Sequence, residues 1–431
     1  MRKQPLIANS FLRDNVIVFV LINFGSLFTY LTQALLGRAL SPEDFGAFNS
    51  LNSLVLLLST PTALLPLVLS RFTVQLEQDS LAKVRTFFRI SILASILVMI
   101  VASSVCFVFS DALARFLNIA DVSYIHLAAL YLGFGLLLYA PSGILQGRQR
   151  FFGFGLARGG PTVIRFVLVG VLVCFLGLGV RGALWSAVVG AGVSFLVAVF
   201  FLRDLWGSPR EPLPQGLLRG VLAYSVPVTI SSGLVSAIGN IDLVLVRHLC
   251  SAADSGIYAT AAVLGRVAFF LPAMLIWVLF PKAAKSADAG EDGRGSLWKS
   301  IGLTSALSGG FCLVVLLFPE VVLRVAFGPG YEGAAIPLQF VSLAMMLLAI
   351  IRVLFTYCLA HYLYGHLWIM SVGLAAFVGL VYLFHDTPTE TAAMLLLCMG
   401  GIVTASFIWF FAAPNRERIR SDTLKASREI N

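Results

Sequence analysis

Apolar runs of about 20 residues recur along the whole chain, each closed by a short polar break. They lie near 16–37, 45–70, 90–110, 124–146, 161–180 and 182–202, and then near 220–247, 256–281, 299–318, 334–358, 366–384 and 391–412. A bilayer core of about 30 Å is crossed by about 20 helical residues. The pattern therefore predicts an all-α polytopic membrane protein of 12 transmembrane helices. No run alternates with period two, as a membrane β-barrel requires. Arg181 marks a tight turn between spans five and six. Met1-Arg2-Lys3 has the charge of a signal-peptide start, but the run from Val16 to Gly37 is too long for one and reads as a retained first helix.

Composition supports this reading. The 431 residues are 59% hydrophobic and 12% charged, against about 25% charged in soluble domains. The formal net charge of +9 could suggest nucleic acid, but the basic residues sit between spans, so topology accounts for them and no nucleic acid is expected. With the N-terminus inside, the inner segments hold 22 of the 30 Lys and Arg and the outer loops five. The expectation is a multi-pass membrane protein with both termini cytoplasmic. Residues 1–205 form a first lobe, 206–219 a cytoplasmic linker, 220–413 a second lobe and 414–431 a basic tail. Short outer loops disfavour a glycan polymerase or ligase. The six cysteines are singletons without metal-ligand spacing, and no phosphate loop or catalytic constellation appears. No enzyme, metal or cofactor is expected, and a monomer suffices.

The chain repeats itself with an offset near 210 residues. Ser41-Pro42-Glu43-Asp44-Phe45-Gly46-Ala47-Phe48 precedes the body of span two, and Ser251-Ala252-Ala253-Asp254-Ser255-Gly256-Ile257-Tyr258 precedes that of span eight. Ser, Asp, Gly and the aromatic match in register, predicting two six-helix halves related by a repeat. Span one carries Asn23, Ser26, Tyr30 and Gln33 on one helical stripe, and span seven carries Ser225, Thr229, Ser232, Ser236 and Asn240. Span two adds Asn49, Asn52 and Ser59. Interhelical hydrogen bonding is one reading of such stripes; a polar cavity between repeats is the other.

Charges inside spans sharpen the second reading. Arg266 lies ten residues beyond Gly256, near the midplane, where a cation costs at least about 2.5–3.5 kcal/mol on insertion scales. It should meet a wet cavity, an anion or a structural partner. Arg165 and Arg352 fall one to two turns from the cytoplasmic ends of their predicted spans, so snorkelling competes with an inward role. Arg38 and Arg247 sit at the outer ends. Asp242 stands well inside an apolar run, off the polar stripe, as a structural pair or a site for a coupling H+ or Na+. Pro61 and Pro272 fall within one residue of matching under the repeat, as paired kinks would.

These residues resemble the polysaccharide flippase branch of the multidrug/oligosaccharidyl-lipid/polysaccharide (MOP) exporter superfamily. The likeness rests on Gly37-Arg38-Ala39-Leu40 running into the first octet, on Asp242 with Asp254-Ser255-Gly256-Ile257-Tyr258, and on Leu145-Gln146-Gly147-Arg148-Gln149-Arg150-Phe151. The resemblance implies a MATE-like fold and alternating access. It implies translocation of an undecaprenyl-diphosphate-linked oligosaccharide across the lipid bilayer of a bacterial cytoplasmic (inner) membrane, and work alongside glycan polymerase machinery. Arg266, Arg165 and Arg352 would meet the diphosphate. A MATE-like multidrug/cation antiporter is the alternative, and a lipid II-type flippase the third reading. Lipid II flippases usually carry two further helices, and no Asp or Glu lies inside spans one to six.

Overall fold

The computed structural model describes residues 5–62, 65–207, 211–214, 216–272, 294–360 and 365–412. The predicted tail at 414–431 and the end of span eight lie outside the described residues. Regular structure is helical throughout: α1 (Pro5–Ala39), α2 (Pro42–Ser59), α3 (Leu65–Asp79), α4 (Leu81–Val108), α5 (Ser110–Phe116), α6 (Ser123–Gly147), α7 (Phe151–Val169) and α8 (Gly179–Phe200). Next come α9 (Leu217–Leu249), α10 (Ala252–Gly265), α11 (Val267–Phe270), α12 (Arg294–Leu317), α13 (Pro319–Phe327), α14 (Ala335–Ala360), α15 (His366–Leu383) and α16 (Pro388–Ala412).

Among the described residues, nine helices are long and apolar enough to cross a bilayer. They correspond to predicted spans one, three to six and nine to twelve. Span two is split: a 3-10 turn at Thr60–Thr62 separates α2 from α3, where Pro61 brings no backbone N–H to the ladder. Span seven is α9. Span eight begins as α10 and breaks at Arg266, with Pro272 six residues on.

Span five differs most from expectation. Its helix starts at Phe151, ten residues before the predicted start, and Pro161 lies inside it. Glycines in this early stretch are packing positions. A Cβ on Gly159 would stand 2.1 Å from the Leu21 carbonyl oxygen, and one on Gly25 would stand 2.6 Å from the Gly159 Cα. Helices in lipid associate by close backbone approach and van der Waals contact, and here the small residues let α1 lie directly on α7.

Two compact units emerge from the contacts: Met1–Ala259 with Ala326–Gly328, and Thr260–Val325 with Pro329–Asn431. In the first unit α6 is the central helix, packed against α3, α4 and α8. Phe87, Phe88, Ile144, Leu145 and Leu202 fill that unit's core, and Trp206 meets Phe88 edge-on at 5.5 Å. In the second unit α14 is central, packed against α11, α12 and α16.

Candidate functional site

The matched octets adopt the same local chemistry and touch each other. The Ser41 hydroxyl accepts the Asp44 N–H at 3.2 Å, and the Ser251 hydroxyl accepts the Asp254 N–H at 3.1 Å. In both, serine rather than aspartate satisfies a free N–H of the first helical turn. A Cβ on Gly256 would stand 2.0 Å from the Pro42 carbonyl oxygen, and one on Gly46 would stand 2.8 Å from the Gly256 nitrogen. Only glycine at both positions permits that crossing.

At this end of the bundle two arginines do more than anchor. The buried Arg247 donates from Nε to the Leu117 carbonyl at 2.9 Å and from Nη2 to the Asn118 carbonyl at 3.0 Å. The Asn118 amide donates back to the carbonyls of Arg247 and His248, and the His248 ring stacks on Phe116 with centroids 4.0 Å apart. Arg38 donates from Nε to the Ala326 carbonyl at 3.2 Å. At the opposite end, Arg148 and Arg150 both grip the Asp204 carboxylate at 2.6–2.8 Å, and Arg148 also bonds Glu77 at 2.9 Å. This is the Gln146–Arg150 segment of the family likeness, turned back through Gln149 at φ 54.

The polar stripes divide. On α1, Asn23, Ser26, Tyr30 and Gln33 occupy a face separate from the one bearing Gly25 and from the exposed apolar face of Val20, Phe24, Leu27 and Leu31. The Ser26 hydroxyl is taken up by the Ile22 carbonyl, whereas the Gln33 Oε1 is buried without a hydrogen-bond partner. On α9, the Ser236 hydroxyl accepts from Thr60 at 2.8 Å, so part of this stripe holds α9 to the break after α2. The Asn240 amide donates to the Ser236 carbonyl and the Ser232 hydroxyl to that of Thr229. Asn49 is buried and donates to the Phe45 carbonyl; Asn52 is half-buried.

Asp242 is fully buried and accepts the Tyr258 hydroxyl at 3.1 Å. Arg266 is half-buried at the α10–α11 break, where its carbonyl accepts the N–H groups of Phe269 and Phe270. The Arg352 guanidinium lies 5.0 Å from the Phe269 ring, which brings Arg266 and Arg352 into one neighbourhood of the second unit.

Arg165 belongs to the first unit. Because α7 starts early, it stands fourteen residues in, at about 21 Å along the axis, in the middle of the 25-residue apolar span. Snorkelling from one to two turns no longer describes it. Its guanidinium lies 5.8 Å from both the Phe48 and Tyr131 rings, within cation–π range. Its Nε is buried with no hydrogen-bond partner. Sequence reasoning assigned Arg158 to an inner loop. It lies inside the same apolar span, seven residues before Arg165.

Comparison with known proteins agrees with this architecture. A solved multidrug resistance MATE family transporter of the MOP superfamily, in an inward-facing conformation, superposes with a TM-score of 0.75 at 14% identity, covering 95% of this chain and 99% of its own. The lipid II flippase MurJ, in an inward closed conformation, gives 0.74 at 10% identity, covering 95% of this chain and 91% of its own. An uncharacterized membrane protein of Methanocaldococcus jannaschii is 20% identical over 344 residues, 75% of this chain and 77% of that one. Residues 12–286 match the family model described as polysaccharide biosynthesis protein. The chain has the fold of these solved transporters and belongs to the polysaccharide biosynthesis protein family.

Proposed function

We propose that this protein flips an undecaprenyl-diphosphate-linked oligosaccharide, a repeat unit of a surface glycan, from the cytoplasmic to the outer leaflet by alternating access of two six-helix halves. Both termini are then cytoplasmic, the Arg148–Asp204 cluster faces the cytoplasm, and the Arg38 and Arg247 contacts face out. Arg165 carries the proposal. A guanidinium in the middle of a span, framed by rings and with a buried N–H unbonded, is costly in lipid and is repaired by an anionic ligand. Arginine's planar fork suits a diphosphate. Within the second unit, Arg352, whose guanidinium lies over the Phe269 ring, and Arg266 are further cationic candidates for the same ligand.

Replacing Arg165 by Ala in the native host tests this directly. Surface glycan should be lost while the protein stays inserted at normal abundance. Undiminished export in that variant would overturn the proposal.

The buried Asp242 supports ion coupling by H+ or Na+, and it is also the observation that favours a multidrug/cation antiporter as the second reading. Restored drug tolerance in an efflux-deficient host, without any effect on glycan, would select the antiporter.

A further inference from the structure

We infer that α7 carries two anion-binding stations in series, Arg158 and then Arg165, and that a lipid diphosphate is handed from one to the other on its way to the middle of the membrane. The inference rests on the flippase reading and adds a binding residue and an order of events to it.

Helix geometry is the first support. At about 100° per residue, positions seven apart return to within about 20° of one another, so Arg158 and Arg165 share one face of α7. On the same helix Phe152, Ile164 and Val167 are exposed apolar side chains, 53%, 41% and 56% accessible. By the same rotation those three centre about 180° from the two arginines. The arginine face is therefore turned away from lipid, toward the interior of the first unit. Arg165 confirms that direction through Phe48 of α2, Tyr131 of α6 and Gly190 of α8, where a Cβ would stand 3.4 Å from its own.

Arg158 lies on the face of α7 turned toward the interior of the first unit, yet the residue is exposed. A charged side chain facing inward and still accessible looks into an internal water-filled space. Its guanidinium lies 5.5 Å from the Phe154 ring, and among the described residues no carboxylate forms an ion pair with it. Tyr139 lies within electrostatic reach.

The two stations are built alike. Tyr139 and Tyr131 lie eight residues apart on α6, which runs antiparallel to α7 through the tight turn at 148–150. The rungs are thus Tyr139 with Arg158, and Tyr131 with Arg165. Their separation is about 10.5 Å along α7, short enough for two long side chains to lean toward a shared anion. A headgroup entering at the Phe151 end meets Arg158 first and need not leave one guanidinium before reaching the other.

Farnesyl diphosphate is a suitable probe, measured by calorimetry on the full chain in phosphatidylcholine nanodiscs, with farnesol as the uncharged control. Losing one charge-assisted contact costs about tenfold in affinity. Arg158→Gln and Arg165→Gln should each weaken binding by about that factor, farnesol should not bind, and Arg158→Lys should recover part of the loss in Arg158→Gln. Weakening in Arg165→Gln alone overturns the two-station inference while leaving the flippase reading intact. Failure of the unaltered protein to bind farnesyl diphosphate overturns both. If phosphatidylglycerol in the nanodisc abolishes probe binding, the face serves bulk phospholipid headgroups and the inference is likewise overturned.

Discussion

Arg38 and Arg247 make the same hydrogen bond in opposite halves of the chain. Each donates from Nε to a carbonyl just past, or at the end of, a short helix: Arg38 to Ala326 in α13, Arg247 to Leu117 after α5. The two arginines are 209 residues apart, and so are the two acceptors. Asp111 and Arg115 on α5 stand at the same separation from Glu320 and Arg324 on α13. Each half thus lends an arginine to the other half's short helix. That 209-residue spacing matches the offset of the octets to within one residue, and the Gly46–Gly256 crossing lies in the same compact unit as both clasps.

The two clasps are unequal in burial, and their variants should differ accordingly. Arg247 is 5% exposed whereas Arg38 is exposed. Arg247→Ala strands the carbonyls of Leu117, Asn118 and Glu43 and should cost about 2–3 kcal/mol; Arg38→Ala should cost under about 1 kcal/mol. Detergent-solubilised melting curves would show it, and equal losses would contradict the asymmetry.

Glycine substitutions offer an internal control for the crossing of the octets. Gly256→Ala forces a Cβ into the Pro42 carbonyl and should destabilise by at least about 1–3 kcal/mol, visible as lost folded yield. Gly135→Ala in α6 has open space around its new Cβ and should be neutral or stabilising by up to about 1 kcal/mol. Similar behaviour of the two variants in fluorescence-detected size exclusion would refute the close approach.

Asp204 sets an acid limit on the Arg148–Arg150 cluster. Burial alone would raise its carboxyl, but the hydrogen bonds and charges of Arg148 and Arg150 outweigh that and hold it below the ordinary aspartate value. A depressed folded-state pKa adds stability that is present above the unfolded value, about 3.9, and is lost as pH falls through the folded one. Melting temperature should therefore drop below about pH 4 in the unaltered protein. Asp204→Asn should start lower at neutral pH and fall less steeply in acid; parallel curves would remove Asp204 from the account.

Phe269 and Arg352 should act as a unit. Phe269→Leu removes a cation–π contact of about 0.5–2 kcal/mol, and Arg352→Gln removes the same contact from the other side. The double variant should be less destabilised than the sum of the singles, a coupling that a double-mutant cycle reads out. Strict additivity would show that the ring does not hold the guanidinium.

Asp242→Asn keeps an acceptor for the Tyr258 hydroxyl while abolishing the charge. If Asp242 carries the coupling ion, this variant should insert normally yet lose gradient-driven transport in proteoliposomes, and Tyr258→Phe should be milder. Unchanged gradient dependence would leave Asp242 a purely structural group.

Much of the fold was legible because bilayer thickness imposes a length on every span. Span five was misplaced at its start because the packing role of Gly155 and Gly159 appears only when α1 lies against them, and that of Gly153 only when Phe201 does. The same error put Arg158 outside the membrane and Arg165 too close to its edge. For Ser236 the stripe was legible but its partner was not, since the Thr60 hydroxyl comes from a helix break 176 residues away.

By itself the sequence determined the solvent, the helical class, the matched octets and which residues carry charge into lipid, because hydropathy and repeat register are local properties of the chain. The tertiary structure decided which way those charges face and which carbonyls Arg38 and Arg247 reach. It also decided that Arg165 stands between two rings with a donor unbonded. Those facts depend on helix rotation and on contacts between distant segments, and a helix can turn the same residue toward lipid or toward its neighbours without any change in local pattern.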